Sequence, residues 1–245
     1  YCDGSDAPEA YVIAALKAGF HTLGFSSHAP VPLKNGFAIQ SRDELTKYCQ
    51  CIRRLQSDYK DRIDILLSLE LDYIRGVSED FQDFKNEWGL DYTIGSVHLV
   101  KNTGGKGLWF IDGPRVESYD KGLKEIFGGD IRKAVGTYFD QLNQMVLTQK
   151  PDIVGHLDKI KMHNKDRYFK EDDLWYENLW FGTLELIRQS GLVIEVNTRG
   201  IYKGRYPDLY PSVTILKEVQ MMNLPITLSS DAHSPDEIDG HYVQT

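Results

Sequence analysis

Apolar and polar positions follow two periods along the chain, one typical of helices and one typical of buried strands. Residues 41–59 carry apolar side chains at spacings of three and four, which predicts an amphipathic helix. Residues 63–71 form a nearly continuous apolar run, as in parallel strands buried on both faces. The two patterns recur. They predict helices at 8–18, 41–59, 131–147, 174–188 and 211–222, and strands at 21–26, 63–71, 92–97, 153–155, 192–196 and 226–229.

This alternation predicts an α/β fold with a parallel sheet, either open and doubly wound or closed into a barrel. No linker, repeat or low-complexity tract divides the sequence, so we expect one domain over residues 1–245. The first element is a helix, and a βα unit would place a strand before it, upstream of Tyr1. Residues 101–129 are rich in glycine and weakly periodic, which predicts a long functional loop with one short helix at most.

The length, composition and net charge of the chain limit which classes of protein it can belong to. The 245 residues suit a single large barrel, and a net charge of −8 disfavours binding to nucleic-acid backbones, which needs basic patches. No apolar run is long enough to cross a membrane. Three cysteines do not make a disulfide framework, so a reducing cytoplasm is the expected location.

Metal-binding residue types follow the predicted strands, at the point where each strand ends. The carboxyl ends of parallel barrel strands share one face, so these side chains should meet at one mouth. Imidazole and carboxylate groups are ligands of zinc, iron and manganese. Any one of these residues alone fits a structural role, but the set predicts a multinuclear metal site. Its members are His28, Glu70, His98, His156, Asp231 and His233.

Seven stretches spread over the chain resemble the PHP (polymerase and histidinol phosphatase) family, and within it the histidinol-phosphate phosphatases. They are YCDG at 1–4, GFSSHAP at 24–30, LELDY at 69–73, IGSVH at 94–98, IVGHLD at 153–158, EVNTRG at 195–200 and SSDAH at 229–233. The resemblance implies a distorted (β/α)7 TIM-like barrel. Six strands are visible in the sequence, so the first strand of that barrel is expected to be missing from this chain.

The resemblance also implies roles for single residues and two or three divalent transition-metal ions (Zn, Mn or Fe). Glu70 would bridge two metals, with His98 and His156 on one of them. Asp231 would join the metal held by a His-x-His pair, which in the family precedes the YCDG stretch. Asp3, His28 and His233 would hold the third. Since that pair and a closing C-terminal helix are not in the sequence, both ends are expected to be trimmed.

The implied activity is hydrolysis of L-histidinol phosphate to L-histidinol and phosphate in histidine biosynthesis, by metal-bound hydroxide. The expected partner is therefore a small phosphate ester, with neither nucleic acid nor membrane. Two alternatives stay open: another phosphate ester (a nucleotide, an oligonucleotide or phosphotyrosine), and a degenerate barrel that acts as a binding module.

Two residues are candidates for substrate binding. Arg199, just past a strand end, could clamp the phosphate in bidentate fashion or form a salt bridge with Glu195 or Asp208. Asp112 could pair with the substrate amine. The loop that carries Asp112 also carries Trp109 and Phe110, which could cover the imidazole and amine of histidinol.

Overall fold

The computed structural model describes residues 2–33, 35–102, 104 and 107–244. Its helices are α1 (Pro8–Lys17), α2 (Arg42–Tyr59), α3 (Phe81–Trp88), α4 (Val116–Phe127), α5 (Ile131–Thr148), α6 (Leu174–Ser190), α7 (Arg199–Tyr202) and α8 (Val213–Met221). Its strands are β1 (Thr22–His28), β2 (Asp64–Asp72), β3 (Tyr92–Ser96), β4 (Leu99–Lys101), β5 (Leu108–Phe110), β6 (Ile153–Val154), β7 (Val193–Asn197) and β8 (Ile226–Ser229).

Six strands form one parallel sheet in the order β1-β2-β3-β6-β7-β8. The order follows the chain, with helices connecting most successive strands, as in a barrel rather than a doubly wound sheet. All six predicted strands are confirmed. The sheet curls into a partial barrel, so the predicted α/β barrel-type fold is confirmed as well.

The helices pack their apolar faces on the outside of this sheet. In α2, Leu45, Ile52 and Leu55 are fully buried, and the Ser41 side chain accepts a hydrogen bond from the backbone N–H of Glu44 at the start of the helix. Spacings of three and four therefore predicted both the helix and its buried face.

The prediction for residues 101–129 is wrong in part. The one helix that it allowed is present as the 12-residue α4, but β5 also lies in the segment and pairs antiparallel with β4, which begins before it at Leu99. Gly128 ends α4 with a φ of 66°, in the left-handed region that glycine adopts most readily. Short strands and a helix ended by glycine give weak periodicity, which the sequence pattern could not distinguish from a loop. Helices α3 and α7 were also not predicted.

Within the described residues, β1 pairs only with β2 and β8 pairs only with β7. A cavity of about 910 Å³ lies along the inside of the sheet, lined at its two edges by residues such as Phe25 and Leu228. The strand expected before Tyr1 lies outside the described residues. No helix in the described part of the chain is both long and apolar enough to cross a bilayer.

Candidate metal centre

The carboxyl ends of the parallel strands bring imidazoles and carboxylates together at one mouth of the partial barrel. Residues two apart on a strand point to the same side, so Glu70 and Asp72 of β2 both face inward while Leu69 and Leu71 enter the core. The other side chains end a strand or follow it within two residues. They are His28 at the end of β1, His98 after β3, His156 after β6 and Asp231 after β8.

Glu70, His98 and His156 form the tightest group. Glu70 Oε1 lies 3.1 Å from His156 Nε2 and 3.4 Å from His98 Nε2, and the two Nε2 atoms are 3.1 Å apart. Two lone-pair-bearing nitrogens and a carboxylate oxygen thus face one another at close range. Such a set of ligand atoms suits a divalent transition metal.

A second group shares His98 and includes an acid that the sequence reasoning did not name as a ligand. Asp72 is buried, and its Oδ1 lies 2.6 Å from His98 Nδ1. A carboxylate on the far nitrogen fixes the orientation of a ligating imidazole. His28 Nδ1 lies 3.7 Å from Glu70 Oε2 and 4.0 Å from Asp72 Oδ2, and His28, Asp72 and His98 could themselves hold an ion. The alternation of polar residues in LELDY could have drawn attention to Asp72.

The remaining predicted ligands form a third group that lines the same cavity. His233 Nε2 lies 2.9 Å from Asp3 Oδ2, and His233 Nδ1 lies 3.5 Å from Asp231 Oδ1. Asp231 has a φ of 51°, in the left-handed region that few non-glycine residues adopt and that aspartate tolerates better than most. The structure thus pairs Asp3 with His233, while His28 lies nearer to Glu70 and Asp72.

Unpartnered atoms test whether the cluster fits a metal. In the part of the chain that the structure describes, His28 Nδ1, His156 Nδ1, Asp72 Oδ2 and Asp112 Oδ1 are buried without a hydrogen-bond partner. Buried polar atoms are normally paired. Four of the eleven buried side-chain atoms without a partner in the described residues therefore lie in or beside the cluster, as expected of a site that receives a cation.

The charges in the cluster favour added positive charge. Burial alone would raise the pKa of Glu70, but His28, His156 and His98 hold it well below its usual range. Burial likewise works against charge on His98, yet Asp72, Asp112 and Glu70 raise its pKa well above its usual value. Without a metal, a proton on His98 would balance the surrounding acids, and a bound cation can take the place of that proton.

A cavity of about 210 Å³ opens above the candidate ligand cluster, and two of the cationic side chains that line it, Lys159 and Arg205, were missed by the sequence reasoning. The Lys159 side chain is 5% exposed, and its Nζ lies 4.0 Å from both Asp112 Oδ2 and Asp231 Oδ2. The same ammonium lies 4.9 Å from the centre of the Tyr210 ring. Lys159 follows His156 by three residues and begins a three-residue 3₁₀ helix, which is too short to show a period in the sequence.

The structure places both predicted substrate-binding residues on this cavity. Arg199 Nη1 donates to the carbonyl oxygen of Asp231 and lies 3.1 Å from Glu237 Oε2, so its ion pair is with Glu237 rather than with Glu195 or Asp208. Asp112 Oδ2 lies 3.7 Å from His98 Nε2.

The two aromatic residues predicted to cover the substrate differ in whether their side chains face the cavity. Phe110 lines the cavity and stacks on Phe37, with ring centres 5.6 Å apart. Trp109 is fully buried, and its Nε1 donates to the carbonyl oxygen of Tyr119 in α4. Neighbouring residues of β5 point to opposite faces, so only one of the two can face the cavity. The predicted role of Trp109 is therefore wrong.

The fold and the site together define a parallel α/β barrel-type protein with a candidate metal centre at the carboxyl ends of its strands. The sequence profile of the PHP domain matches residues 1–199. The chain belongs to the PHP domain family.

Similar proteins agree with this assignment. A protein of Deinococcus radiodurans named "Probable histidinol-phosphatase" is 28% identical over 233 residues, which cover 94% of this chain and 82% of that protein. A solved Listeria monocytogenes structure, itself of a candidate histidinol phosphatase, has a TM-score of 0.87 at 22% identity and covers 100% of this chain and 96% of its own. The Lactococcus lactis histidinol phosphate phosphatase, solved with zinc, L-histidinol and phosphate, has a TM-score of 0.63 at 21% identity, covering 96% and 82%.

Proposed function

We propose that this protein is a metal-dependent phosphomonoesterase that hydrolyses L-histidinol phosphate to L-histidinol and inorganic phosphate. The observation that carries the proposal is the meeting of Glu70, His98 and His156 beneath a cavity that contains a buried lysine. A phosphate dianion is bound by positive charge, which metal ions held by these ligands and the neighbouring ammonium of Lys159 would both supply.

The metal ligands we propose are those predicted from the sequence, with Asp72 orienting His98. Two or three divalent ions bound there, with zinc, manganese and iron as the candidates, would lower the pKa of water and stabilise the charge on the phosphoryl oxygens. The proposed ligands are Asp3, His28, Glu70, His98, His156, Asp231 and His233. The unpartnered atoms of His28 and His156 support this assignment.

The phosphate would enter beside Lys159, Arg199 and Arg205, which are the lysine and arginines that line the cavity within the described residues. Lys159 is buried, so its ammonium acts in a medium of low dielectric constant and attracts an anion more strongly than a surface lysine would. Arg199 is held by Glu237 and the Asp231 carbonyl through one nitrogen, Nη1, which fixes its guanidinium at the edge of the cavity.

The leaving group would lie against Phe37, Phe110 and Asp112. Phe37 and Phe110 offer ring surface to an imidazole, and Asp112 offers a carboxylate to an amine. The ligands of the Lactococcus lactis structure and the name of the Deinococcus radiodurans relative support histidinol phosphate as the substrate.

A cavity of about 210 Å³ and a net charge of −8 favour a small substrate over a nucleic acid. The predicted cytoplasmic location is part of the proposal. It is supported by the three cysteines, which form no disulfide in the described structure.

A substrate panel tests the proposal. The purified protein, loaded with zinc or manganese, is assayed with histidinol phosphate, phosphotyrosine, a nucleoside monophosphate and an oligonucleotide. We expect kcat/KM for histidinol phosphate to exceed that for the other esters by at least about 100-fold, since a phosphate ester that lacks the amine and imidazole leaves Asp112 unpaired. Equal turnover of all the esters would contradict the substrate assignment. Elemental analysis showing less than one tightly bound transition metal per chain would instead indicate a degenerate barrel that binds without catalysis.

A further inference from the structure

Strand β7 separates β6 from β8 and carries two buried polar side chains at its carboxyl end. Glu195 and Asn197 are 4% and 0% exposed. They are two residues apart, so both point to the same side of the strand. Their neighbours on that side are His156, which follows β6, and Asp231, which follows β8. Neither Glu195 nor Asn197 has a place in the function proposed above.

Both polar atoms of the Asn197 amide have defined partners. Its Nδ2 lies 3.2 Å from Asp231 Oδ2 and 3.4 Å from Glu195 Oε1, and its Oδ1 accepts from the backbone N–H of Arg199 at 3.0 Å. Glu195 in turn accepts from the backbone N–H of His156 at 2.7 Å through Oε2. These contacts fix the orientation of the amide, because a flipped Asn197 would place its oxygen against two carboxylates.

We infer that Asn197 is a positioning residue for the metal centre: its amide holds Asp231 and, through Glu195, links that ligand to the segment that carries His156. A neutral donor suits this place because it orients a carboxylate without adding charge. An aspartate would set a third carboxylate between Glu195 and Asp231, and Lys159 Nζ, 4.0 Å from Asp231 Oδ2, is too far to neutralise all three. This inference rests on the metal centre of the proposed function.

The alternative is that Asn197 only accepts the Arg199 N–H at the start of α7. Asn197→Asp separates the two roles, because it keeps the acceptor oxygen and removes the donor. Asn164→Asp is a matched control. Asn164 is also buried, donates through Nδ2 to the carbonyl oxygen of Phe169 and accepts backbone N–H groups through Oδ1, so the same change there perturbs the fold without touching a proposed ligand.

The experiment measures zinc affinity of the purified protein by competition with a chromogenic chelator, in the absence of any substrate. Asn197→Asp and Asn197→Ala should each weaken zinc binding by about 10- to 100-fold, the usual cost of losing an outer-shell partner of a ligand, and Asn164→Asp should not. Should Asn197→Asp fail to fold, Asn197→Ala is compared with Asn164→Ala, which also loses both polar atoms of its amide, and a loss of zinc affinity confined to Asn197→Ala supports the inference.

Wild-type affinity in Asn197→Asp would overturn the inference, and so would an equal loss in Asn164→Asp. A wild-type protein that binds none of zinc, manganese and iron tightly would overturn both the inference and the proposed function, and one that binds only manganese or iron tightly is compared with its variants using that metal. A wild-type protein that binds zinc and does not hydrolyse histidinol phosphate would overturn the substrate assignment alone, and the affinities of the variants would still decide the role of Asn197.

Discussion

Two buried clusters of acidic and basic side chains differ in how their carboxylates are neutralised. They meet along the chain at His156 and Asp158, which are two residues apart. The mouth cluster consists of Glu70, Asp72, His98 and His156. The lysine cluster consists of Asp158, Lys161 and Glu171. Lys161 Nζ lies 2.7 Å from Asp158 Oδ2 and 3.4 Å from Glu171 Oε2, and the side chains of Lys161 and Asp158 are 0% exposed.

The two clusters differ in the source of the positive charge that offsets their carboxylates. The lysine cluster contains its own cation, which also lies 4.9 Å from the Tyr206 ring centre, and the Asp158 carboxylate accepts the Ser212 N–H as well. The mouth cluster has acids and imidazoles but no lysine or arginine of its own. We therefore interpret the lysine cluster as a structural element and the mouth cluster as a candidate binding site.

The largest expected effect is on activity, from the mouth cluster. Glu70→Gln removes the carboxylate that faces both His98 and His156, and we expect kcat to fall by at least about 10³-fold, since metal-centred charge stabilisation contributes several kcal/mol. Thermal unfolding of the metal-free variant should change much less than kcat, because the substitution removes favourable contacts of Glu70 with the imidazoles but also leaves fewer buried acids in the cluster. A variant that keeps kcat but unfolds earlier would reverse the roles of the two clusters.

The lysine cluster should give the opposite result. Lys161→Met leaves Asp158 buried without its cation, and we expect a loss of about 3 kcal/mol in the free energy of unfolding. This is the lower end of the range for broken buried pairs, because the Glu171 side chain is 27% exposed. The measurement is urea unfolding. The double variant Asp158→Leu with Lys161→Met should recover part of the loss, and an equal or larger loss in the double variant would argue against an uncompensated charge as the cause.

Lys159 contacts Tyr210, as Lys161 does, but its ammonium faces Asp112 and Asp231 at the cavity. Lys159→Met should lower kcat/KM for the phosphate ester by about 30-fold, or about 2 kcal/mol, the value of a hydrogen bond to a charged group. Lys159→Arg should restore part of it, because the positive charge remains. Steady-state kinetics with both variants measures this, and unchanged kcat/KM in Lys159→Met would assign the lysine to packing against Tyr210.

The smallest expected effect concerns Glu237, whose carboxylate is paired with Arg199 and Lys203 at the rim of the candidate metal centre. Burial alone would raise its pKa, but Lys203, the His233 N–H and Arg199 hold it at about 2. A glutamate in the unfolded chain titrates at about 4.3. The ionised form therefore stabilises the native state above pH about 4.3, and this stabilisation is lost as the pH falls toward about 2.

Glu237→Gln should remove that pH dependence. Urea unfolding at pH about 6 and about 3 should show a smaller difference for the variant than for the wild-type protein, by on the order of 1 kcal/mol after solvent screening. The same slope in both proteins would show that Glu237 is not the group responsible.

The confirmed predictions share one physical basis. The six strands and the α2 face were predicted because buried parallel strands and amphipathic helices each impose a period on the sequence. Six of the seven proposed ligands were found because barrel strands bring their carboxyl ends to one mouth, so position after a strand was enough to select them. Their assignment as ligands is still a prediction that the metal measurements test.

What the sequence could not predict depends on contacts between distant segments. Lys159 and Asp112 are 47 positions apart, and nothing local to either shows that they face one cavity. The pairing of Asp72 with His98 fixes an imidazole across two strands. The amide of Asn197 became informative only when its partner, Asp231, was known. Residues 101–129 were assigned to a loop because short strands and a glycine-ended helix lack a long period.

The class of fold, the mouth of the barrel where the candidate site lies and the residue types found there could all be predicted from the sequence, because periodicity and strand order are local properties of the chain. Which buried acids pair with the chain's own lysine, and which do not, could be read only from the folded structure. That distinction is set by distances of about 3 to 4 Å between groups far apart in sequence, and at such distances in a buried site a single ammonium changes an acid from a ligand into half of an ion pair.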